Sequence, residues 1–331
     1  MPILYLSEQG SKVHKEGNRI IVRKEDATLI DISLFKIDTI VVLGNVHFST
    51  QALGDILTKG IDIAFLTLNG RLKGRIESYK SKNIPLKLRQ YEVYKNKEKS
   101  LQFAKIFLKA KAENACRLLK SYDYRYKELN LKEDIDEIEK KKTNIDDKTT
   151  IDSLMGVEGY ISRVYFTGFK KIVNSIYGQE IMEERQPRGS FSFVNQMLSL
   201  GYVCWTNEIM AALNASGLDP YLGFLHSIDY GRPSFALDIV EEYRQPVIDR
   251  LTLNLINKRL FNMEDFEASE EGLRMKQDKI KEYFKYYEEW LREKNRDYQN
   301  EKMSFREIML LQIKKLVEAL KEEKVYIPFI Q

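Results

Sequence analysis

The chain has 331 residues, 43% of them hydrophobic with 19 Tyr and 16 Phe, and a formal net charge of +4. That length and apolar content exclude a largely disordered chain and suffice for two domains with independent cores. No run approaches the roughly 18 uninterrupted apolar residues of a membrane span and no basic-then-apolar leader opens the chain, so a soluble cytoplasmic protein without membrane contact is expected. Cys116 and Cys204 lack the paired spacing of a metal knuckle, which points to reduced thiols. The near-neutral total hides an asymmetry: 17 Lys and Arg face 6 Asp and Glu between Arg71 and Glu128. Such a block fits a polyanionic partner, or equally a set of solvated lysines on helix exteriors.

Residues 1–76 alternate short apolar runs (ILYLS, NRIIVR, TLIDI, IDTIVVLG, HFST, IDIAFLTLNG) with turns at Gly10, Gly17, Gly44 and the pair Asn69 and Gly70. Beta-branched and aromatic residues at period two predict strands and hairpins, with Thr50 to Lys59 as the single helix. The expected fold class is therefore α+β in two domains. A small N-terminal β-sandwich-like domain spans 1–76, a linker marked by Pro85 spans 77–89, and a larger all-α catalytic domain spans 90–331. His14 and His47 each stand without a nearby acidic cluster and read as ordinary histidines.

From Lys87 to about Leu131 the apolar residues trace helical faces, with lysines and arginines opposite. Residues 132–150 are the most polar stretch and read as a helix end or loop. A helix is expected over Asp152 to Ile172, where Leu154, Val157, Ile161, Val164, Tyr165 and Phe169 form an apolar stripe that includes Glu158. Gly156 and Gly159 flank that glutamate, each lowering helix propensity by roughly 1 kcal/mol relative to Ala while leaving room beside it. Phe191 to Ala215 is the most apolar helix, and Gly217 is placed to cap it. Asp219 and Pro220 can start a next, short apolar helix, LGFLHS, with His226 near its end. From Ser234 a stripe of Leu237, Glu241, Arg244, Ile248, Leu251 and Leu255 predicts one amphipathic helix, with Asp238 and Glu241 one turn apart. Phe261 to Gln331 reads as amphipathic helix without a chemical constellation.

Two carboxylates leaning inward repel and lose hydration unless a cation or an arginine compensates. Glu158, His226 and Glu241, with Asp238 beside them, are far apart in sequence, as expected of helices converging in a bundle. Two hard oxygen donors and one imidazole suit Mn²⁺ or Mg²⁺ better than structural zinc, although a lone His on an apolar helix is more often a satisfied core residue. No internal repeat, Walker-type loop, dinucleotide fingerprint or Gly-x-Ser-x-Gly occurs in the sequence.

The segments GVEGYISRVYF, RQPRGSFSFVNQMLSLGY, GLDPYLGFLHSIDYGRPSFALDIVEEYRQPVIDR and IDTIVVLGNVHFSTQAL closely resemble the CRISPR-associated spacer integrase, the first Cas protein family (Cas-one). The resemblance covers nearly the whole chain and keeps the order of elements. It implies a metal-dependent DNA endonuclease and integrase of antiviral defence that inserts new spacers into a CRISPR array. The glutamate of the family's E-G motif falls on Glu158, the histidine of its L-H motif on His226, and the acid of L-D-x-x-E-x-x-R on Glu241 with Asp238 beside it. Because some members carry Asp where this chain has Glu241, either Glu241 or Asp238 is the direct third ligand. The resemblance further implies double-stranded DNA as substrate, a homodimer formed through the β domains, and a small dimeric second Cas protein as partner. Arg163, Arg232 and Arg244 are candidate phosphate holders, or internal ion-pair partners of the same acids. A structure-specific metal-dependent DNA nuclease of repair and a non-catalytic nucleic-acid scaffold are the competing classes.

Overall fold

The run Thr39–Leu43 (β5, TIVVL) is buried along its whole length, as a strand covered on both faces must be. In the computed structural model, which describes residues 3–37, 39–67, 72–77, 84–182, 185, 191–269, 272–322 and 324–331, β5 pairs in parallel with Ile3–Leu6 (β1) and Asp62–Leu66 (β7). Leu72–Ile76 (β8) closes this sheet antiparallel to β7, in the order β1-β5-β7-β8. Helix α1 (Thr50–Thr58), capped by Ser49 through the Ala52 N–H, lies between β5 and β7 in sequence. The expected hairpins thus give way here to a mostly parallel sheet, whose parallel neighbours need long crossovers, supplied by α1 between β5 and β7 and by strands β2 to β4 between β1 and β5.

The second sheet has the order β4-β3-β2-β6. Its strands are Lys12–Glu16 (β2), Arg19–Lys24 (β3), Ala27–Ser33 (β4) and the short His47–Phe48 (β6). β2 (KVHKE) escapes a sequence reading because only Val13 is buried in it. One apolar cluster joins both sheets and α1, including Leu6, Val13, Ile20, Val22, Ile40, Val42, Ile56 and Ile63. The expected turn at Asn69 and Gly70 lies outside the described residues.

The chain divides into two compact units, Met1–Lys82 with Arg274–Glu288, and Asn83–Leu273 with Glu289–Gln331. Arg274–Glu288 therefore groups with the N-terminal sheets, where the Phe284 ring stacks on Tyr5 at 4.4 Å and Lys281 pairs with Glu8.

The larger unit is mainly helical. Helix α2 (Ile84–Lys95) begins inside the stretch expected as linker, with Pro85 in its first turn, where a missing N–H does no harm. Helices α3 (Lys97–Arg125), α4 (Lys132–Thr143), α5 (Ile151–Tyr177) and α6 (Phe193–Ser216) follow. α4 is a full helix where a helix end or loop is expected: Ile135 and Ile138, three apart, bury enough of one face to hold a highly charged helix. Gly217, at φ 89°, ends α6 in the left-handed region as its position predicts.

The expected all-helical segment after Phe261 is also corrected. Two two-stranded sheets, Phe266–Ser269 with Gly272–Met275 (β9, β10) and the antiparallel pair Arg296–Tyr298 with Glu301–Met303 (β11, β12), flank helix α9 (Gln277–Arg292) in sequence. Helix α10 (Phe305–Glu322) follows. Gln299 and Asn300, both at positive φ (53° and 67°), make the two-residue turn that an Asn-Gly pair would have announced. The fold is mixed α+β, with a small N-terminal sheet region and a larger helical region. No described helix is long and apolar enough to cross a membrane.

Candidate active site

Helix α5 begins at the Thr150 cap, whose side chain accepts from the Ser153 N–H at 3.2 Å. Its buried stripe of Leu154, Val157, Ile161, Val164 and Tyr165 carries Glu158 toward the interior. Gly156 and Gly159 have open space where a Cβ would stand. Ser162, one turn on, donates to Glu158 Oε1 at 2.8 Å.

His226 does not sit on a helix. Residues 222–227 form an irregular loop wrapped around one carboxylate. Asp238, on α7 (Ser234–Val240), accepts from the backbone N–H groups of Phe224 (2.5 Å), Leu225 (3.0 Å) and His226 (2.8 Å). His226 Nδ1 lies 2.7 Å from Asp238 Oδ1. A fully buried carboxylate ringed by three N–H donors has only acceptor capacity left, so Nδ1 carries a proton toward it, and in the neutral imidazole Nε2 presents the lone pair. Gly223 is required by close approach: a Cβ there would meet His226 O and the Ser234 backbone carbon at 2.7 Å. An apolar run thus becomes a loop because Asp238 satisfies backbone groups that a helix would otherwise have satisfied internally.

The long helix expected from Ser234 is also broken. After Val240 the bonds from the N–H groups of Glu241, Glu242 and Tyr243 to the carbonyls of Asp238, Ile239 and Val240 are those of a tight turn. A wide π-type turn, Arg244–Asp249, then precedes α8 (Arg250–Asn257). Pro246 has no N–H to continue an α-helix, and such bulges recur at functional sites. The tight turn buries both Glu241 and Glu242.

Glu241 is the hub. Arg244 Nε lies 3.2 Å from its Oε1 and 3.1 Å from its Oε2, and His226 Nε2 is 3.9 Å from Oε1. Lys111 Nζ, from α3, stands 2.8 Å from Glu241 Oε2 and also pairs with Glu158 Oε1. Side-chain exposures of 5% for Lys111, 2% for Glu241 and 16% for Glu158 put this ammonium in the interior between two carboxylates. Burial would push the Glu241 carboxyl up, but the Arg244 and Lys111 charges outweigh it and hold the pKa at about 2. Burial likewise opposes ionisation of Glu158, and the Lys111 charge brings its pKa below the ordinary value.

The expected residues Glu158, His226, Glu241 and Asp238 therefore come together, and sequence reasoning missed Lys111. The signal for it was present: Lys111 falls on the stripe of Ala104, Phe107, Leu108, Ala115 and Leu118, all buried, by the logic that singled out Glu158. Of the three arginines, Arg244 pairs with Glu241 and lies 4.5 Å over the Tyr202 ring. Arg163 is exposed beside Tyr160, 5.1 Å from its ring centroid, and Arg232 is half-buried in the loop before α7. Neither has an ion pair with the clustered acids among the contacts described.

By donor type the cluster suits a hard divalent cation: two carboxylates and one imidazole nitrogen whose other nitrogen is locked by a carboxylate. Glu241 Oε2 is fully buried, and neither Lys111 nor Arg244 is aligned as a hydrogen-bond donor to it. Among the described residues, however, no three His, Cys, Asp or Glu side chains form a ready-made cage; Lys111 stands between the two glutamates.

A second buried carboxylate supports the first. Asp249 accepts from Tyr165 Oη at 2.6 Å and from Tyr202 Oη, the ring beneath Arg244. Burial pushes its pKa from 3.8 up to about 6. A carboxyl raised in this way stabilises the folded state fully below its unfolded pKa and loses that contribution as pH rises through about 6. Asp249→Asn should therefore compare better with the parent at pH 7.5 than at pH 4.5 in thermal melts; a pH-independent difference would contradict this origin. Glu242 points elsewhere, accepting from Tyr326 Oη (3.0 Å) and the Phe329 N–H (2.9 Å). Asn114 Nδ2 donates to the carbonyls of both Glu242 and Phe329, so the segment around Tyr326 is strapped into the core.

With this geometry in view, the comparisons with known proteins are decisive. The family model described as CRISPR associated protein Cas1 matches residues 4–289. The chain belongs to the Cas1 family. A CRISPR-associated endonuclease Cas1 of Thermus thermophilus is 30% identical over 321 residues, 96% of this chain and 93% of the relative. Among solved structures, a CAS1 protein from Thermotoga maritima is 27% identical at a TM-score of 0.85, covering 98% of this chain and 99% of that one. A casposase bound to integration product is 25% identical at a TM-score of 0.86, covering 98% of this chain and 92% of that one.

In this Cas1 chain the basic face of α3 is partly engaged by the acid-rich stretch after it. Lys109 meets Asp146 at 2.5 Å and Lys120 pairs with Glu139, while Glu113, on α3 itself, holds Arg117 of the same helix (2.8 Å) and Lys142 of α4 (2.6 Å). The exposed pairs among them contribute only about 0–1 kcal/mol each.

Proposed function

We propose that this chain is a metal-dependent DNA endonuclease and integrase that inserts new spacer DNA into a CRISPR array, a DNA 3′-hydroxyl attacking a phosphodiester by transesterification. The observation that carries the reading is the convergence of Glu158, Glu241 and His226 Nε2 from separate segments, with Nδ1 locked by Asp238. The Thermus relative's description as an endonuclease and the casposase's integration product agree with it.

Glu158, Glu241 and His226 would hold Mn²⁺ or Mg²⁺, which supplies charge neutralisation at the scissile phosphate and a lower pKa for the attacking hydroxyl. Asp238 is not a ligand in this reading: four donors occupy it, and its work is to keep the proton on Nδ1. Arg244 holds Glu241 in place and has further N–H groups for a phosphate oxygen. Arg163, Arg232 and the α3 lysines extend the contact along duplex backbone, giving salt-dependent and mostly sequence-independent affinity. One phosphodiester replaces another, so no nucleotide hydrolysis is needed. A homodimer through the N-terminal sheets, the small second Cas protein as partner and a cytoplasmic site of action complete the proposal.

The test is a joining assay with a 3′-hydroxyl duplex, a plasmid carrying a repeat array, Mn²⁺ and the second Cas protein. Joined product that EDTA abolishes is expected. Cleavage without joining under every partner condition would instead indicate a repair nuclease, and DNA binding with no chemistry would indicate a scaffold.

A further inference from the structure

Lys111 sets the charge balance of the site. Glu158 and Glu241 carry two negative charges into a nearly closed interior, and Lys111 and Arg244 return two positive ones. These four charges cancel one another, and the ammonium stands in the gap between the two carboxylates. A divalent cation at that place would meet a positive charge within one ionic contact, and repulsion at such a distance is severe away from water. Arg244 is differently placed: its guanidinium lies on the Tyr202 ring and grips Glu241 alone. Lys111 has four flexible methylenes behind its charge and no other ion-pair partner among the contacts described.

We propose that Lys111 is the resident counter-ion of this centre, holding Glu158 and Glu241 together until a divalent cation displaces it. The inference rests on the metal-binding reading above. It gives the centre two occupied states: a closed one organised by the lysine and an open one in which the ammonium has withdrawn and is available to a phosphate. The exchange makes metal affinity weaker than the donor set alone would give, and it protects two buried acids from mutual repulsion while no metal is present.

Lys111→Met keeps most of the length and removes the charge. Titration calorimetry with Mn²⁺ should show binding at least about tenfold tighter than in the parent. The metal-free variant should melt several degrees lower and regain that loss with saturating Mn²⁺. An independent measurement uses the unaltered protein: acylation of Lys111 by an amine-reactive ester, read by mass spectrometry, should be slow without metal and faster with Mn²⁺. If Mn²⁺ binds the parent, with binding lost in Glu241→Gln, while Lys111→Met binds no tighter and labelling is unchanged by metal, the displacement idea fails and the metal site stands. Absence of Mn²⁺ binding in both parent and variant overturns the site and the inference together.

Discussion

Glu241→Gln should lower Mn²⁺-dependent strand transfer by about a hundredfold or more, the scale of losing a group that stabilises transition-state charge, while duplex binding stays near that of the parent. Glu241 is the only acid in the cluster that meets Lys111 and Arg244 and also faces His226. The amide keeps the volume but removes the charge on which the site converges. DNA affinity should persist because the phosphate contacts proposed for α3, Arg163 and Arg232 do not pass through Glu241. Glu158→Gln should lose a similar factor, and the double variant should be little worse than either, since residues acting on one centre are not additive. Strand transfer within a few fold of the parent, with an unchanged Mn²⁺ isotherm, would remove Glu241 from the mechanism. A Glu241→Gln protein that lost duplex binding as well would favour a role for the cluster in organising the fold.

What the sequence made legible was what local periodicity controls. The apolar runs that became β1, β3, β5 and β7, the buried stripe of α5 and the cap at Gly217 all follow from residues within a few positions of each other. Glu158 and Glu241 stood out as charges on apolar stripes, and the same test applied to α3 would have found Lys111. The parts that were not legible depend on distant partners. The loop around His226 looks like an apolar helix because the carboxylate that satisfies its backbone comes from Asp238, on another element. The break after Val240 follows from Pro246, yet nothing nearby shows that the resulting tight turn buries two consecutive glutamates. The basic excess between Arg71 and Glu128 reads equally as a surface for a polyanion or as solvated lysines, whereas on α3 one of those lysines lies buried among the acids and others meet Asp146 and Glu139.

Asp238→Ala should be the most damaging single change to the stability of the helical unit. It leaves the N–H groups of Phe224, Leu225 and His226 without their acceptor in a buried setting, at about 1–3 kcal/mol each. A total near 5 kcal/mol corresponds to a melting temperature lowered by the order of 10 °C for a unit of this size. Asp238→Asn separates that structural role from the chemical one. The amide nitrogen must replace one of the two oxygens, and a donor in the Oδ2 position would face two backbone N–H groups, Phe224 and Leu225. In the Oδ1 position it faces one backbone N–H and His226 Nδ1. A backbone N–H cannot give up its proton, but an imidazole can move its proton to the other nitrogen, so the second placement costs less. Asp238→Asn should then fold with a smaller thermal loss than Asp238→Ala and carry the His226 proton on Nε2, visible in nitrogen-15 spectra of the imidazole. With that lone pair gone, metal affinity and strand transfer should fall about 10–100-fold, as for other carboxylates that orient a histidine ligand. An Asn variant that keeps the Nδ1 proton and the parent's rate would show that Asp238 only ties the loop to α7.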